Sequence, residues 1–189
     1  FGTNNFTIEF WGRFVSTASI ANIPVIRFKK GATGGNATYL WYFDHGVGLK
    51  LAIRMADDTW IDNNSGDINV GSTDTGNSGT DWTHFALVRN GNAWNHYRNG
   101  TSNWSKTDAR GMKDHIDGLN LIGKNSAWAM GGHFDDIRIS NTARYTANFT
   151  PPTAAFTSDA NTLLLLNGEP TAATTGKVTR VHATSLAWA

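Results

Sequence analysis

Between Trp82 and Lys106 two Asn-Gly pairs, Asn90-Gly91 and Asn99-Gly100, separate short runs rich in aromatic and β-branched residues. Asn-Gly tolerates the positive φ that a two-residue hairpin turn of the right twist demands, so the stretch predicts three antiparallel strands in a meander. The rest of the chain reads as further short strands, with no convincing helix. The fold class expected is therefore all-β.

Twenty Gly, eight Trp and ten Phe, with abundant Asn and Thr and four Pro, suit that class. Aromatic and β-branched side chains fit a pleated, half-buried surface, while Gly and Asn supply tight turns. At 189 residues and 40% hydrophobic content the chain can bury one good core. Charged residues make up 16% and the formal net charge is +1, so no electrostatic footprint points to nucleic acid or to an anionic membrane. Apolar runs such as Leu163 to Leu166 are far too short to span a bilayer. Cys is absent, which removes disulfides and thiolate metal sites.

Phe6, Ile8, Phe10 and Phe14 alternate with Thr7, Glu9 and Arg13, the period of a strand with one buried face; Trp11 interrupts the polar side. Pro24 to Lys30 predicts a second strand, followed by the turn-rich Gly31 to Asn36. Tyr39 to Phe43 is apolar on both faces, as a central strand would be. Val47 to Met55 alternates again, and Asp57-Asp58 predicts a turn into a short strand, Thr59 to Ile61. From Asp62 to Asp81 the chain is nearly all Gly, Ser, Thr, Asn and Asp, the composition of a surface loop. Leu119 to Gly123, Phe134 to Ile139, Leu163 to Leu166 and Lys177 to Ala183 predict the remaining strands. Tyr145 to Phe156 carries Pro151-Pro152 and predicts an extended arm, because neither Pro can donate to a ladder. One domain is expected over residues 1–170, with 171–189 as an extension contributing one added strand.

A two-residue turn at Asn99-Gly100 would pair Arg98 with Thr101, His96 with Asn103 and Trp94 with Ser105, leaving Tyr97 and Trp104 on the opposite face. The first face would then be polar with one large aromatic. Trp94, His96, Arg98 and Asn103, with Trp60, form a candidate saccharide surface, since an indole covers the apolar face of a sugar while amides and guanidinium bond its hydroxyls. The same face would equally serve as a solvated outer sheet or a subunit contact. Asp57, Asp58 and Asp62 cluster around Trp60 and are candidate oxygen ligands for Ca2+, although Asp is also a turn former and the spacing matches no EF-hand. Asp44-His45-Gly46 is a similar turn. Of Asp135 and Asp136, adjacent in an apolar strand, one is expected to point inward in a framework role. No catalytic residues are expected. The chain has two Glu, Glu9 and Glu169, and neither a closely spaced carboxylate pair on one strand nor a Gly-x-Ser-x-Gly elbow occurs.

Three segments carry a resemblance: Phe6-Thr-Ile-Glu-Phe-Trp11; Trp82-Thr-His-Phe-Ala-Leu-Val-Arg89 with Tyr97-Arg-Asn-Gly100; and Phe134-Asp-Asp-Ile-Arg-Ile-Ser140 followed by Ala143-Arg-Tyr-Thr-Ala-Asn-Phe-Thr-Pro-Pro152. Together, over most of Phe1 to Asn167, they resemble the laminin-G-like, concanavalin A-like domains. That resemblance implies an antiparallel two-sheet jelly-roll β-sandwich that binds glycans or protein partners, often with a loop calcium ion. The Arg-Tyr-Thr-Ala-Asn-Phe-Thr-Pro-Pro ending is similar to copies carried by bacteriophage structural proteins, including tail fibres. It implies a non-enzymatic module on a virion surface that recognises host-surface glycans, or else a structural decoration subunit contacting other virion proteins. A bacterial extracellular adhesin or a glycan hydrolase domain is the remaining alternative. A homo-oligomer is expected, and neither nucleic acid nor membrane is an expected partner. Relatives begin with a Leu-rich strand; here the similar Leu163-Leu-Leu-Leu-Asn-Gly168 stands at the back, either closing the same sandwich or marking a tandem array.

Overall fold

The alternation of Phe6, Ile8 and Phe10 builds the strand on which the molecule is assembled. In the computed structural model, which describes residues 1–15, 23–28, 38–44, 48–62, 68–70, 81–113, 119–121, 131–167 and 180–183, this strand is β1, Phe6–Val15. The others are β2 (Ile23–Phe28), β3 (Thr38–Asp44), β4 (Gly48–Ala52), β5 (Ile68–Asn69), β6 (Thr83–Asn90), β7 (Ala93–Arg98), β8 (Thr101–Thr107), β9 (Leu119–Leu121), β10 (Gly131–Ser140), β11 (Thr162–Asn167) and β12 (Arg180–Ala183). They form a seven-stranded sheet in the order β12-β11-β10-β1-β6-β7-β8 and a five-stranded sheet in the order β5-β4-β3-β2-β9. Every pairing is antiparallel. No helix is assigned among the described residues. The result is the two-sheet jelly-roll sandwich. The Leu-rich strand β11 pairs with β10 and so closes this same sandwich.

The inner faces of the two sheets make the core. Phe6, Ile8 and Phe10 are fully buried against Val25, Ile26, Trp41, Leu51 and Ile53, each contributing roughly 2 kcal/mol through removal from water. Phe10 packs edge-on to Trp41 with ring centroids 5.1 Å apart, tying the sheets together. Tyr39 to Phe43 falls in β3, the middle strand of its sheet.

Several local expectations shift. The second loop of the meander is Asn99-Gly100, with φ of 47° and 76°, as the pair predicts. The first is displaced by one residue: Asn90 pairs with Ala93, so the loop is Gly91-Asn92, with φ of 57° at Gly91. Thr59 to Ile61 makes a single bridge, Arg54 to Trp60, rather than a strand. Within the polar stretch 62–81, β5 pairs with β4, and Ile68 and Val70 are buried beside it; these two apolar residues are what the loop reading overlooked. The turns at Gly31 to Asn36 and at Asp44-His45-Gly46, most of 62–81, and Glu169 lie outside the described residues.

The outer face of the seven-stranded sheet has its own cover. The arm after β10 is irregular, as Pro151-Pro152 predicts, and lies across β1, β6 and β7. Ala86, Val88 and Tyr97 are buried beneath Ala143, Tyr145 and Phe149, and the Tyr145 and Phe149 rings stack 3.6 Å apart. The arm is closed at its base by a two-pronged pair from Arg144 to Asp159, at 2.9 and 2.8 Å. Its tip is held by Phe149 N donating to Gly100 O at 2.9 Å and Ser102 N donating to Asn148 Oδ1 at 2.9 Å.

Candidate functional site

Glu9 faces the arm and is fully buried. Its Oε1 accepts from Arg138 Nε at 2.9 Å and lies 2.8 Å from Arg138 Nη2; its Oε2 accepts from Tyr145 Oη at 2.7 Å and from His84 Nε2 at 3.1 Å. Burial alone would raise its pKa. The hydrogen bond from His84, the charge of Arg138 and the hydroxyl of Tyr145 outweigh that and hold it below the ordinary 4.5. Burial first and then the Glu9 charge raise the Tyr145 phenol. This carboxylate is wired into the framework and closed off from any ligand.

The expected saccharide face has to be corrected. Arg98 does pair with Thr101, but β7 slips by one residue against β8 between His96 and Tyr97, so His96 lies opposite Trp104 and Trp94 opposite Lys106. Trp94 and His96 point between the sheets and are fully buried, so neither can touch a sugar. Trp94 packs edge-on to Phe6 at 5.5 Å and donates Nε1–H to Asp108 O at 3.1 Å. Tyr97 takes the other face and is covered by the arm. With apolar cover on both sides of the hairpin, the polar residues around Trp94 did not mark a solvent face.

His96 instead forms a polar relay between the sheets. Trp41 Nε1 donates to His96 Nε2 at 2.9 Å, which places the ring proton on Nδ1, 2.5 Å from Asn103 Oδ1. Asn103 Nδ2 in turn donates to Val70 O at 2.6 Å. The Asn103 amide is thereby committed on both sides. Burial lowers the His96 pKa from 6.5 to about 4 and keeps the ring neutral.

Trp60 and the aspartates lie on a hairpin tip, residues 53–62, whose turn puts Asp58 at φ 65°. Asp57 Oδ1 accepts from Thr59 N at 3.1 Å and Thr59 Oγ1 at 2.6 Å, the local bonding that makes Asp a turn former. Its other oxygen accepts from Arg110 at 3.2 Å, and these contacts, the Thr59 hydroxyl first, lower its pKa to about 2. Asp58 pairs with Lys113 and lies 3.7 Å from Arg54 Nε; the Lys113 bond lowers its pKa in turn. Arg110 also clasps Asp108 through Nε at 3.0 Å and Nη2 at 2.6 Å, and reaches the Thr59 hydroxyl. The Arg54 guanidinium lies over the Trp60 ring at 4.7 Å, within cation–π range. Asp57 and Asp58 thus aim their oxygens at turn donors and cations, and Asp62 is half-buried. No group of three or more His, Cys, Asp or Glu side chains converges among the described residues.

What remains at the surface of this tip is a half-buried indole, Trp60, capped by the Arg54 guanidinium, with the Arg110 guanidinium held at the neighbouring Asp57 and Thr59 and by Asp108. Acceptors, donors and an aromatic face together can hold a polyhydroxylated ligand. Arg54, Asp108, Arg110 and Lys113 are absent from the sequence-based candidates. Arg110 and Lys113 join the cluster across more than fifty positions, to Asp57 and Asp58, which no local pattern announces; Arg54 and Asp108 come in through near neighbours, Asp58 and Arg110.

This architecture, two antiparallel sheets face to face with a mixed aromatic and charged surface cluster, is of the lectin/glucanase class. The chain belongs to the Concanavalin A-like lectin/glucanases superfamily, matching its Laminin_G_3 family over residues 1–148. Among solved structures it is similar to the binding domain of Paraclostridial Mosquitocidal Protein 1, with TM-score 0.55, 18% identity, and coverage of 77% of this chain and 36% of that one. It is also similar to a protein from Bacteroides ovatus described as a candidate carbohydrate binding protein, with TM-score 0.53, 12% identity, and coverage of 88% and 46%. The chain therefore spans less than half the length of either structure. No curated protein matches it.

Proposed function

We propose that the chain is a non-catalytic glycan-binding module. The observation that carries this reading is the Trp60–Arg54 pair, a half-exposed aromatic flanked by fixed donors and acceptors on a lectin-type sandwich. The description of the Bacteroides ovatus neighbour as carbohydrate binding supports the ligand class. The non-catalytic part is supported by Glu9, whose carboxylate is buried and fully engaged. Display on a bacteriophage virion, as a homo-oligomer on a fibre or appendage, is motivated by the Arg144 to Pro152 ending, here part of the arm from its base to past its tip.

The test is a glycan array on the intact chain, with calcium and with chelator, repeated with Trp60→Ala and Arg54→Ala. Saturable binding that both variants weaken is expected; a calcium requirement would bring Asp57, Asp58 and Asp62 in as ligands. Absence of binding in both buffers would overturn glycan recognition in favour of a decoration subunit. Turnover of any polysaccharide would overturn the non-catalytic reading, and a monomer mass at high concentration the oligomeric one.

A further inference from the structure

On the outer face of the seven-stranded sheet, residues stack in rows across β6, β1 and β10. The arm covers the rows from His84 downward: His84 meets Tyr145, Phe149 and Phe156 edge-on, at 6.2, 5.6 and 6.0 Å. It leaves the last row open. There Arg13 pairs across the ladder with His133, and Trp82 stands one residue before Thr83, the partner of Gly12. Trp82 is 40% exposed, the only large apolar side chain left so among the described residues.

The row is organised. The Arg13 guanidinium lies 5.6 Å from the Trp82 ring centroid, and the His133 ring meets that indole edge-on at 6.4 Å. Arg13 Nη2 is 3.3 Å from His133 Nδ1; with Arg13 as donor the ring proton is on Nε2, turned away from the arginine. Half-buried Trp11 and exposed Asp81 border the row.

We infer that the Trp82–Arg13–His133 row is a second saccharide-binding surface, distinct from the Trp60 cluster, and that it takes neutral saccharides. The indole offers an apolar platform for a pyranose C–H face, and Arg13 and His133 supply donors for hydroxyls. The Arg13 guanidinium is engaged by His133 Nδ1 and lies against the Trp82 ring, so the row presents an apolar platform with hydroxyl-bonding groups rather than an open cationic clamp for an anion. The two surfaces lie toward opposite ends of β1. Met112 bridges both Gly2 and Met55 at one end, and Trp82 adjoins Arg13 at the other. At 3.3 Å per residue the strand alone separates them by more than about 20 Å, so one chain could grip two points of a long glycan and gain by avidity. The ligand class rests on the reading of the chain as a glycan-binding module.

The test is isothermal titration of the full chain with cellohexaose, laminarihexaose, mannohexaose and lacto-N-tetraose, and with sialyllactose and trigalacturonate as acidic comparators. Wild type is compared with Trp82→Ala, His133→Ala and Trp60→Ala, the two exposed positions being substituted without opening the core. Two sites per chain for a neutral saccharide are expected, with Trp82→Ala weakening one by roughly tenfold and leaving the other intact. Binding lost in Trp60→Ala but untouched in Trp82→Ala and His133→Ala would overturn this second surface while preserving the proposed function. Binding lost only in Trp82→Ala would keep this surface and the glycan-binding reading and overturn the Trp60 cluster as a binding site. Preference of the row for the acidic sugars would overturn its neutral assignment, and no binding of any probe would overturn both.

Discussion

Acidification should unfasten the two sheets through His96. In the folded chain this ring is fully buried and neutral, with a pKa of about 4 in place of 6.5, burial being the main cause. A base with a depressed folded pKa is protonated first in the unfolded chain, so the unfolded state binds more protons between those two values and stability falls as pH drops through them. The loss is about 2 kcal/mol between about pH 7 and pH 5, approaching roughly 3 kcal/mol near pH 4. Above about pH 7 the term is flat. Urea unfolding, followed by both tryptophan fluorescence and far-UV circular dichroism, reads it directly. A 2 kcal/mol loss should lower the midpoint by about 1 M urea by pH 5. The comparison is His96→Gln, in which an amide can keep one donor and one acceptor in the relay but cannot titrate. This variant should start less stable and lose its stability more slowly with acid than wild type. The difference between the two isolates the His96 contribution from that of every other group. Parallel decline of variant and wild type from pH 7 to pH 5 would refute the reasoning.

Glu9→Gln leaves Arg138 beneath the arm without its carboxylate and should cost about 3 kcal/mol in urea unfolding; a loss under about 1 kcal/mol would show that the cluster is not electrostatically coupled. Gly100→Ala should destabilise by more than about 2 kcal/mol and expose the arm to proteases, because an added Cβ would stand 1.8 Å from Phe149 O at φ 76°. Gly91→Ala, where the same atom meets nothing within 4 Å, should cost only about 1 kcal/mol of backbone strain. Tyr145→Phe removes the hydroxyl bond to Glu9 and should cost about 2 kcal/mol, with the pH at which acid unfolds the chain moving upward as the carboxylate loses a donor.

The sandwich was legible because its determinants are local. The alternation in Phe6 to Phe10 has period 2, and Asn99-Gly100 supplies the positive φ its turn uses. The face of β7 was not legible, because Trp94 and Tyr97 are both large and both covered, one by the opposite sheet and one by the arm. Alternation separates buried from wet, and here neither face is wet. The register slip beyond Tyr97 compounds this, since one residue moves a side chain to the other side of a sheet. Around Trp60 the tip's own Arg54 lies over the indole, but Arg110 was visible only once the tip had docked on residues 108–113. Trp82, in plain view within the meander, carries no local sign that the arm stops one row short of it.

The placement of β1 between β6 and β10 also sets the order of events during synthesis. Glu9 and Arg138 are 129 positions apart, so within this sandwich β1 is made long before the strand that completes its second edge. At about 5–20 residues per second its second edge waits on the order of ten seconds for β10. Throughout that interval Phe6, Ile8 and Phe10 sit on an unfinished edge, open to any passing strand. A nascent sandwich of this design is at its stickiest while most of its strands are already made, and its yield in a cell should depend on what shields that edge until β10 arrives.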